Sequence, residues 1–333
     1  MTPYPDNKHI KTVKEHVDKY ISNRIIGSLI FGSSIDNRKE KPNDIDIALF
    51  YLGKKIIFNQ TKNKGKTYDI IYYPLIYLNL LDDEKIRNRS DTWYRTSLYV
   101  NLLKNSYILY DPRKIIQLYK TKILNWRWSI QEIQLMRLKT IESLKISKRM
   151  LEKDKIFESL LSIRDASYNY VIYKLMKKQL IPSPRPKDLY RKLKENIPFF
   201  LELFEEINGI DNIDPHEIQY ILELYQNLWT TDIPKNRGAY SEYTNSLQIF
   251  LKKDIKTALL NLRYSLYLLL VELFVKNDIE MIPYNSLKHI MLYHRTKNFK
   301  QLNKLYQEIH KAGIDFYSLN IEKYIKKFKK LIW

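Results

Sequence analysis

The chain has 333 residues and a formal net charge of +20, from 57 Lys and Arg against 37 Asp and Glu. Hydrophobic residues make up 44 %, enough to build packed cores, which excludes a wholly disordered chain. The absence of cysteine excludes disulfides, thiolate metal sites and cysteine nucleophiles, and suits a reducing compartment.

The first twenty residues are charged and lack the apolar core of a secretion signal. The most apolar run, Tyr264 to Val275, is too short to span a bilayer and carries Glu272. The expectation is a cytoplasmic protein with no membrane partner. Its basic surface attracts polyanions, RNA among them, although a chain rich in Lys, Ile, Asn and Tyr also gains such charge from AT-rich coding.

Residues 7 to 22 carry Ile10, Val13, Val17 and Tyr20 at helical spacing. The run Ile25 to Phe31 reads as a buried strand ending at Gly32, and Ile45 to Leu52 as a second strand closed by Gly53. Tyr68 to Tyr73 is a third, stopped by Pro74, with the basic stretch 54–66 before it as a hairpin excursion. Residues 91–104 read as a helix and Tyr107 to Tyr110 as an edge strand. Strands and helices thus share residues 1–115, a small α+β domain.

From about 129 to 180 the period is helical, with Ile133, Met136, Ile141, Leu144 and Leu151 in one stripe. The Pro-rich segment Ile181 to Pro186 interrupts it. Helices resume over 187–207 and 215–229, Thr230 to Asn245 reads as a loop, and helices run from there almost to the end. The expected organisation is a catalytic domain at 1–115, a helical domain at 116–230 and a second helical unit at 246–333. A faint repeat links the last two: Leu160-Leu161-Ser162-Ile163-Arg164 resembles Leu259-Leu260-Asn261-Leu262-Arg263, Tyr168 corresponds to Tyr267, and each segment reaches an Ile-Pro. Arg164 and Arg263 sit within apolar helices, where a snorkelling side chain or an internal salt bridge is the ordinary reading and phosphate binding the functional one.

The chemistry concentrates near the N-terminus. Gly32-Ser33 is followed by ten residues and then by Asp44-Ile45-Asp46, at the head of an apolar strand. Side chains two apart on a strand share a face, about 6.6 Å apart. Two convergent carboxylates suit Mg²⁺, which takes oxygen ligands and keeps water and substrate phosphate in its shell. Asp69 lies inside the third apolar strand, where an Asp is costly unless paired or bound to metal. Gly32 permits close backbone approach to phosphate and Ser33 offers a hydroxyl and an N–H. Arg38, Lys39 and Lys41 follow as cations for a triphosphate.

These residues resemble the nucleotidyltransferase superfamily of the DNA polymerase β type, whose small members carry Gly-Ser, ten residues and Asp-x-Asp. The resemblance covers residues 20–75. It implies a mixed sheet with helices on it, Asp44 and Asp46 as ligands of Mg²⁺ or Mn²⁺, and Gly32 and Ser33 on the triphosphate of a nucleotide. It also implies Asp69 as the third carboxylate, beside the acceptor hydroxyl. The helical remainder looks like the bundles of kanamycin-type enzymes and of antitoxins paired with HEPN toxins. None of the six histidines has the arginine spacing of a HEPN ribonuclease, so ribonuclease activity is not expected. The expected activity is transfer of a nucleoside monophosphate from an NTP to an acceptor hydroxyl, an RNA 3′ end ahead of a protein or small molecule. The rival is a catalytically idle binding module on the same fold. The basic segment Lys323 to Lys330 reads as an amphipathic helix, solvated or in contact with RNA.

Overall fold

The computed structural model describes residues 7–32, 44–63, 65–84, 87, 92–231, 237–274, 283–315 and 319–332. The chain is α+β: an N-terminal five-stranded mixed sheet with helices, followed by an all-helical region. It divides into two compact units, Met1–Ser129 and Ile130–Trp333.

In the first unit, α1 (Asn7–Val17) precedes β1 (Ile25–Phe31), β2 (Asp44–Tyr51), β3 (Ile57–Asn63) and β4 (Lys66–Pro74). A 3₁₀ turn (Leu75–Leu81), α2 (Trp93–Lys104), β5 (Ser106–Tyr110) and α3 (Ile115–Ile123) follow. The sheet order is β3-β4-β2-β1-β5, with β2 and β4 parallel and the other pairs antiparallel. One face carries Ile45, Ile47, Leu49, Tyr68 and Ile70, buried with Val13 and Val17 of α1. The other face buries Ala48, Phe50 and Tyr73 at one end, where Tyr99 of α2 packs on Phe50 and Tyr73. The unit runs past the expected limit at 115 because α3 buries Ile116 and Ile123 and packs on α2 and β1.

The helical unit comprises α4 (Ile130–Leu151), α5 (Ile156–Lys177), α6 (Pro186–Asn196), α7 (Leu201–Asn208), α8 (Pro215–Thr231), α9 (Arg237–Leu251), α10 (Ile255–Phe274), α11 (Ser286–Thr296), α12 (Lys300–Lys311) and α13 (Ile321–Ile332). The segment expected as a loop to Asn245 is helical from Arg237, since Ala239, Tyr243 and Ser246 form a buried face against α10. The second half of the unit therefore begins earlier than residue 246. Helix α10 is long and apolar enough to cross a membrane by length and composition, but 67 % of its most apolar window is buried inside the protein.

Two helix pairs of the unit are alike in their connection. In α4–α5 and α9–α10 the connecting turns match: Asp154 (φ 55°) and Lys253 (φ 63°) are left-handed, and the next N–H reaches back to Met150 O and Ile249 O. The partners are exchanged between halves: α5 packs on α11 while α10 packs on α6, and α13 lies against α4 and α5 while α8 lies against α10. Of the expected aliphatic stripe on α4, Met136 and Leu144 are buried, and small hydroxyl residues share their face. Thr140, Ser143 and Ser147 are buried there, and Ser147 and Ser159 exchange Oγ–H to backbone O bonds of 3.0 and 2.8 Å. Small hydroxyl side chains let the helices approach closely and satisfy their own polar groups.

Arg164 and Arg263 do not snorkel, and among the described residues they form no salt bridge. They are 4 % and 7 % exposed and hold the C-terminal carbonyls of two helices. Arg164 donates to Ile207 O (3.1 Å) and His310 O (2.8 Å), and Arg263 to Asn208 O (2.6 Å) and Ile309 O (3.1 Å). Cations at helix C-termini complement the negative end of the helix dipole. Burial pushes the Arg263 guanidinium down to about 10. On α13, Ile321, Ile325, Phe328 and Ile332 are buried, and Lys323, Lys326, Lys329 and Lys330 are exposed.

Gly209 (φ +60°) and Gly313 (φ +69°) follow α7 and α12 back to back, and a Cβ on Gly313 would overlap the Gly209 carbonyl. Gly313→Ala is expected to cost more than about 3 kcal/mol, the left-handed penalty plus backbone overlap. Gly65→Ala, at φ +75° in open space, is expected to cost only about 1 kcal/mol, both by urea unfolding. His310 is held well below its ordinary value by burial and then by Arg164, Arg263 and His289. It is therefore neutral in the fold and binds a proton more readily when unfolded. That stability is complete above about pH 6.5 and is lost as pH falls towards the depressed value, at about 1.4 kcal/mol per pH unit. His310→Gln is expected to flatten the urea-unfolding pH dependence between about pH 6.5 and 5.5 by about 1 kcal/mol, since the full slope is reached only below that range.

Candidate active site

The register of β2 on β4 sets the site. Asp46 stands opposite Asp69, Asp44 opposite Thr67, and Phe31 of β1 opposite Asp46. Neighbouring strands lie about 4.8 Å apart, so Asp46 and Asp69 share one face as adjacent side chains, with Asp44 two residues back on the same face. The apolar residues between them, Ile45, Ile47, Tyr68 and Ile70, take the opposite face and are at most 1 % exposed. Helix α2 covers the far end of the carboxylate face, through Phe50 and Tyr73, and among the described residues no helix lies over the strand heads. Asp44 is exposed there, and Asp46 and Asp69 are half-buried.

Gly32 continues β1 with φ +73°, and a Cβ at that position would be driven into the Asp46 carboxylate. Its left-handed backbone favours glycine, and its lack of a side chain leaves the Asp46 carboxylate its place. Ser33, Arg38, Lys39 and Lys41 lie outside the described residues.

Asp69 has a partner that sequence reasoning missed. Gln60 of β3 donates from Nε2 to Asp69 Oδ1 at 2.7 Å. The signal was present: Gly65 closes the β3–β4 hairpin with Asn63 opposite Lys66, and counting three residues back and forward puts Gln60 beside Asp69. The amide turns one carboxylate oxygen towards β3. Among the described residues, no three His, Asp or Glu side chains stand together at metal-holding spacing. The strand register puts Asp44, Asp46 and Asp69 on one face, as their expected shared role requires.

The donor set still fits a hard divalent cation. It is all carboxylate oxygen, on rigid strands, at an open edge that leaves room for water and phosphate ligands. Asp44 and Asp46 would supply the first ligands, and Asp69 a further one on rotating away from Gln60.

His16, on the far side of the sheet, belongs to the frame. Asn63 Nδ2 donates to its Nδ1 at 3.1 Å, leaving Nε2–H to donate to Thr61 Oγ1 at 3.1 Å. Burial and then Lys19 lower its pKa, in keeping with that neutral form.

No family model and no curated protein matches the chain. Among solved structures it is similar to a nucleotidyltransferase-like protein from Exiguobacterium sibiricum 255-15, at 10 % identity and a TM-score of 0.40, over 87 % of this chain and 90 % of that one. A likeness at that level leaves the functional argument to the site itself.

Gly32→Ala is expected to lower stability by about 1–2 kcal/mol in denaturant unfolding, the cost of a left-handed non-glycine residue. Gln60→Ala, by freeing Asp69 from its amide, is expected to leave stability within about 1 kcal/mol of the native chain.

Proposed function

We propose that the N-terminal unit is a divalent-metal-dependent nucleotidyltransferase, which moves a nucleoside monophosphate from an NTP to an acceptor hydroxyl. The observation that carries this reading is the Asp46–Asp69 pairing across parallel strands, with Asp44 on the same face and Gly32 against Asp46. The Gly-Ser, ten-residue, Asp-x-Asp spacing supports it independently.

Asp44 and Asp46 would hold the cation at the end of the sheet where the triphosphate would lie. Gly32 keeps the backbone low enough for Asp46 to face the substrate. When bound, Mg²⁺ or Mn²⁺ neutralises triphosphate charge and acidifies the attacking hydroxyl. Asp69, turned from Gln60, orients that hydroxyl and accepts its proton. The acceptor oxygen bonds to the α-phosphorus, the bond from that phosphorus to the bridging oxygen breaks, and pyrophosphate leaves. Positioning and charge stabilisation account for the rate in this chemistry. The +20 charge favours a polyanionic acceptor, and RNA is the acceptor proposed. The all-helical unit is proposed as the part that holds it.

Incubation with each α-labelled NTP, Mg²⁺ and total RNA is expected to label RNA. Asp46→Asn is expected to reduce labelling by at least about 100-fold, the loss of roughly 3 kcal/mol of transition-state stabilisation. Labelling of protein or small molecules in lysate would move the acceptor without changing the reaction. No labelling of any acceptor, with NTP binding unaltered by Asp46→Asn, would leave an idle binding module instead.

A further inference from the structure

The β3–β4 hairpin places a second chemistry beside Asp69. Side chains alternate along β3, so Phe58 and Lys62 share the face of Gln60, whose amide reaches Asp69. The register carries this row across the sheet. Phe58 stands opposite Ile71, Gln60 opposite Asp69 and Lys62 opposite Thr67, while Thr67 and Asp69 stand opposite Asp44 and Asp46. Two-residue steps put Phe58 and Lys62 about 7 Å to either side of Gln60 along the strand. β3 is an edge strand of the sheet, and Phe58, Gln60 and Lys62 are all exposed, Phe58 by 42 %.

Charge and shape narrow the partner. Residues 47–68 carry five Lys and no Asp or Glu, so a basic ribbon borders the three carboxylates. Lys62 lies on the carboxylate face, and Lys54 and Lys55 precede the strand. A polyanion entering over β3 meets these cations before it meets Asp69. Charge that protects a bare sheet edge accounts for lysines, but not for an exposed ring in line with one of them. An aromatic ring interleaved with Lys is how proteins hold unpaired bases: the ring stacks on the base and the ammonium meets the phosphate. An acidic polypeptide would satisfy the lysines and leave the ring unused.

We propose that β3 seats the 3′ end of a single-stranded RNA, with a terminal base stacked on Phe58, a backbone phosphate paired with Lys62 and the last hydroxyl brought to Asp69. Gln60 lies between the two contacts, so the strand that displaces its amide from Asp69 is the one that delivers the hydroxyl. Only the terminal nucleotides are assigned to β3. The role of the hydroxyl rests on the transferase reading; the binding of RNA to β3 does not.

An oligouridylate octamer ending in 4-thiouridine, irradiated on the full chain with Mg²⁺ and without NTP, tests it. Cross-links are expected within residues 54–66 on mass-spectrometric mapping. In anisotropy titrations with a 5′-labelled octamer, Phe58→Ala is expected to weaken binding at least about fivefold, the loss of one stacked base. Lys62→Ala is expected to lower the slope of log affinity against log salt by about 0.7, one phosphate contact on a single strand. Ile57→Ala, on the opposite face of the same strand, is expected to bind like the native chain. All three positions are exposed, and an unchanged melting temperature reports that each variant is folded. Cross-links confined to residues outside 54–66 overturn the proposal, as do native affinity in Phe58→Ala and tighter binding of polyglutamate than of the octamer. RNA held at β3 by a chain that transfers nothing would remove the transferase reading and keep this surface. Transfer to a protein or small molecule, with no RNA cross-link at β3, would do the reverse.

Discussion

The parallel pairing of β2 with β4 is the constraint on which the N-terminal unit depends. Side chains alternate along a strand, so a slip of one residue would send Asp46 into the core and Ile47 into solvent. Ile45, Ile47, Tyr68 and Ile70 prevent that slip by packing against α1. Each such buried side chain contributes about 1.5–3 kcal/mol. Apolar burial on one face thereby holds three carboxylates in register on the other. The rest follows locally: Gly32 gives way to Asp46, α2 covers only the far end of the carboxylate face, and β3 brings Gln60 to Asp69.

The helical unit is organised around a different problem, how to end helices inside a protein. The last carbonyls of a helix lack intrahelical partners and must be satisfied. Arg164 of α5 and Arg263 of α10 satisfy the ends of α7 and α12, and Gly209 and Gly313 let those ends meet. Two buried cations are tolerable because helix-end carbonyls surround them.

Much of the first unit was legible in its sequence. Compact apolar runs ended by Gly or Pro marked β1, β2 and β4 within two residues of their observed limits, and the spacing of Asp44 and Asp46 indicated a common face. Gln60 was hidden because strand pairing is non-local and its partner emerged only from the hairpin count. In the helical half, the break between α4 and α5 was invisible because Asp154 takes a left-handed conformation usually reserved for Gly or Asn. The start of α9 was masked by polar composition, although Ser and Tyr there form its buried face. The aliphatic stripe marked Met136 and Leu144 of the buried face of α4 but not Thr140, Ser143 and Ser147, whose polarity hid them. Arg164 and Arg263 were recognised as equivalent, but their carbonyl partners lie on helices remote in sequence and no local pattern announces them.

The central claim is that the strand heads of β2 and β4 hold a metal–nucleotide complex. The most direct measurement is a crystal structure with Mn²⁺ and a non-hydrolysable NTP analogue, read by anomalous scattering. The account predicts a manganese peak in direct coordination with the carboxylates of Asp44 and Asp46, with the triphosphate beside Gly32. Bound nucleotide far from those strands, or a saturated crystal with no peak at the two aspartates, would contradict it.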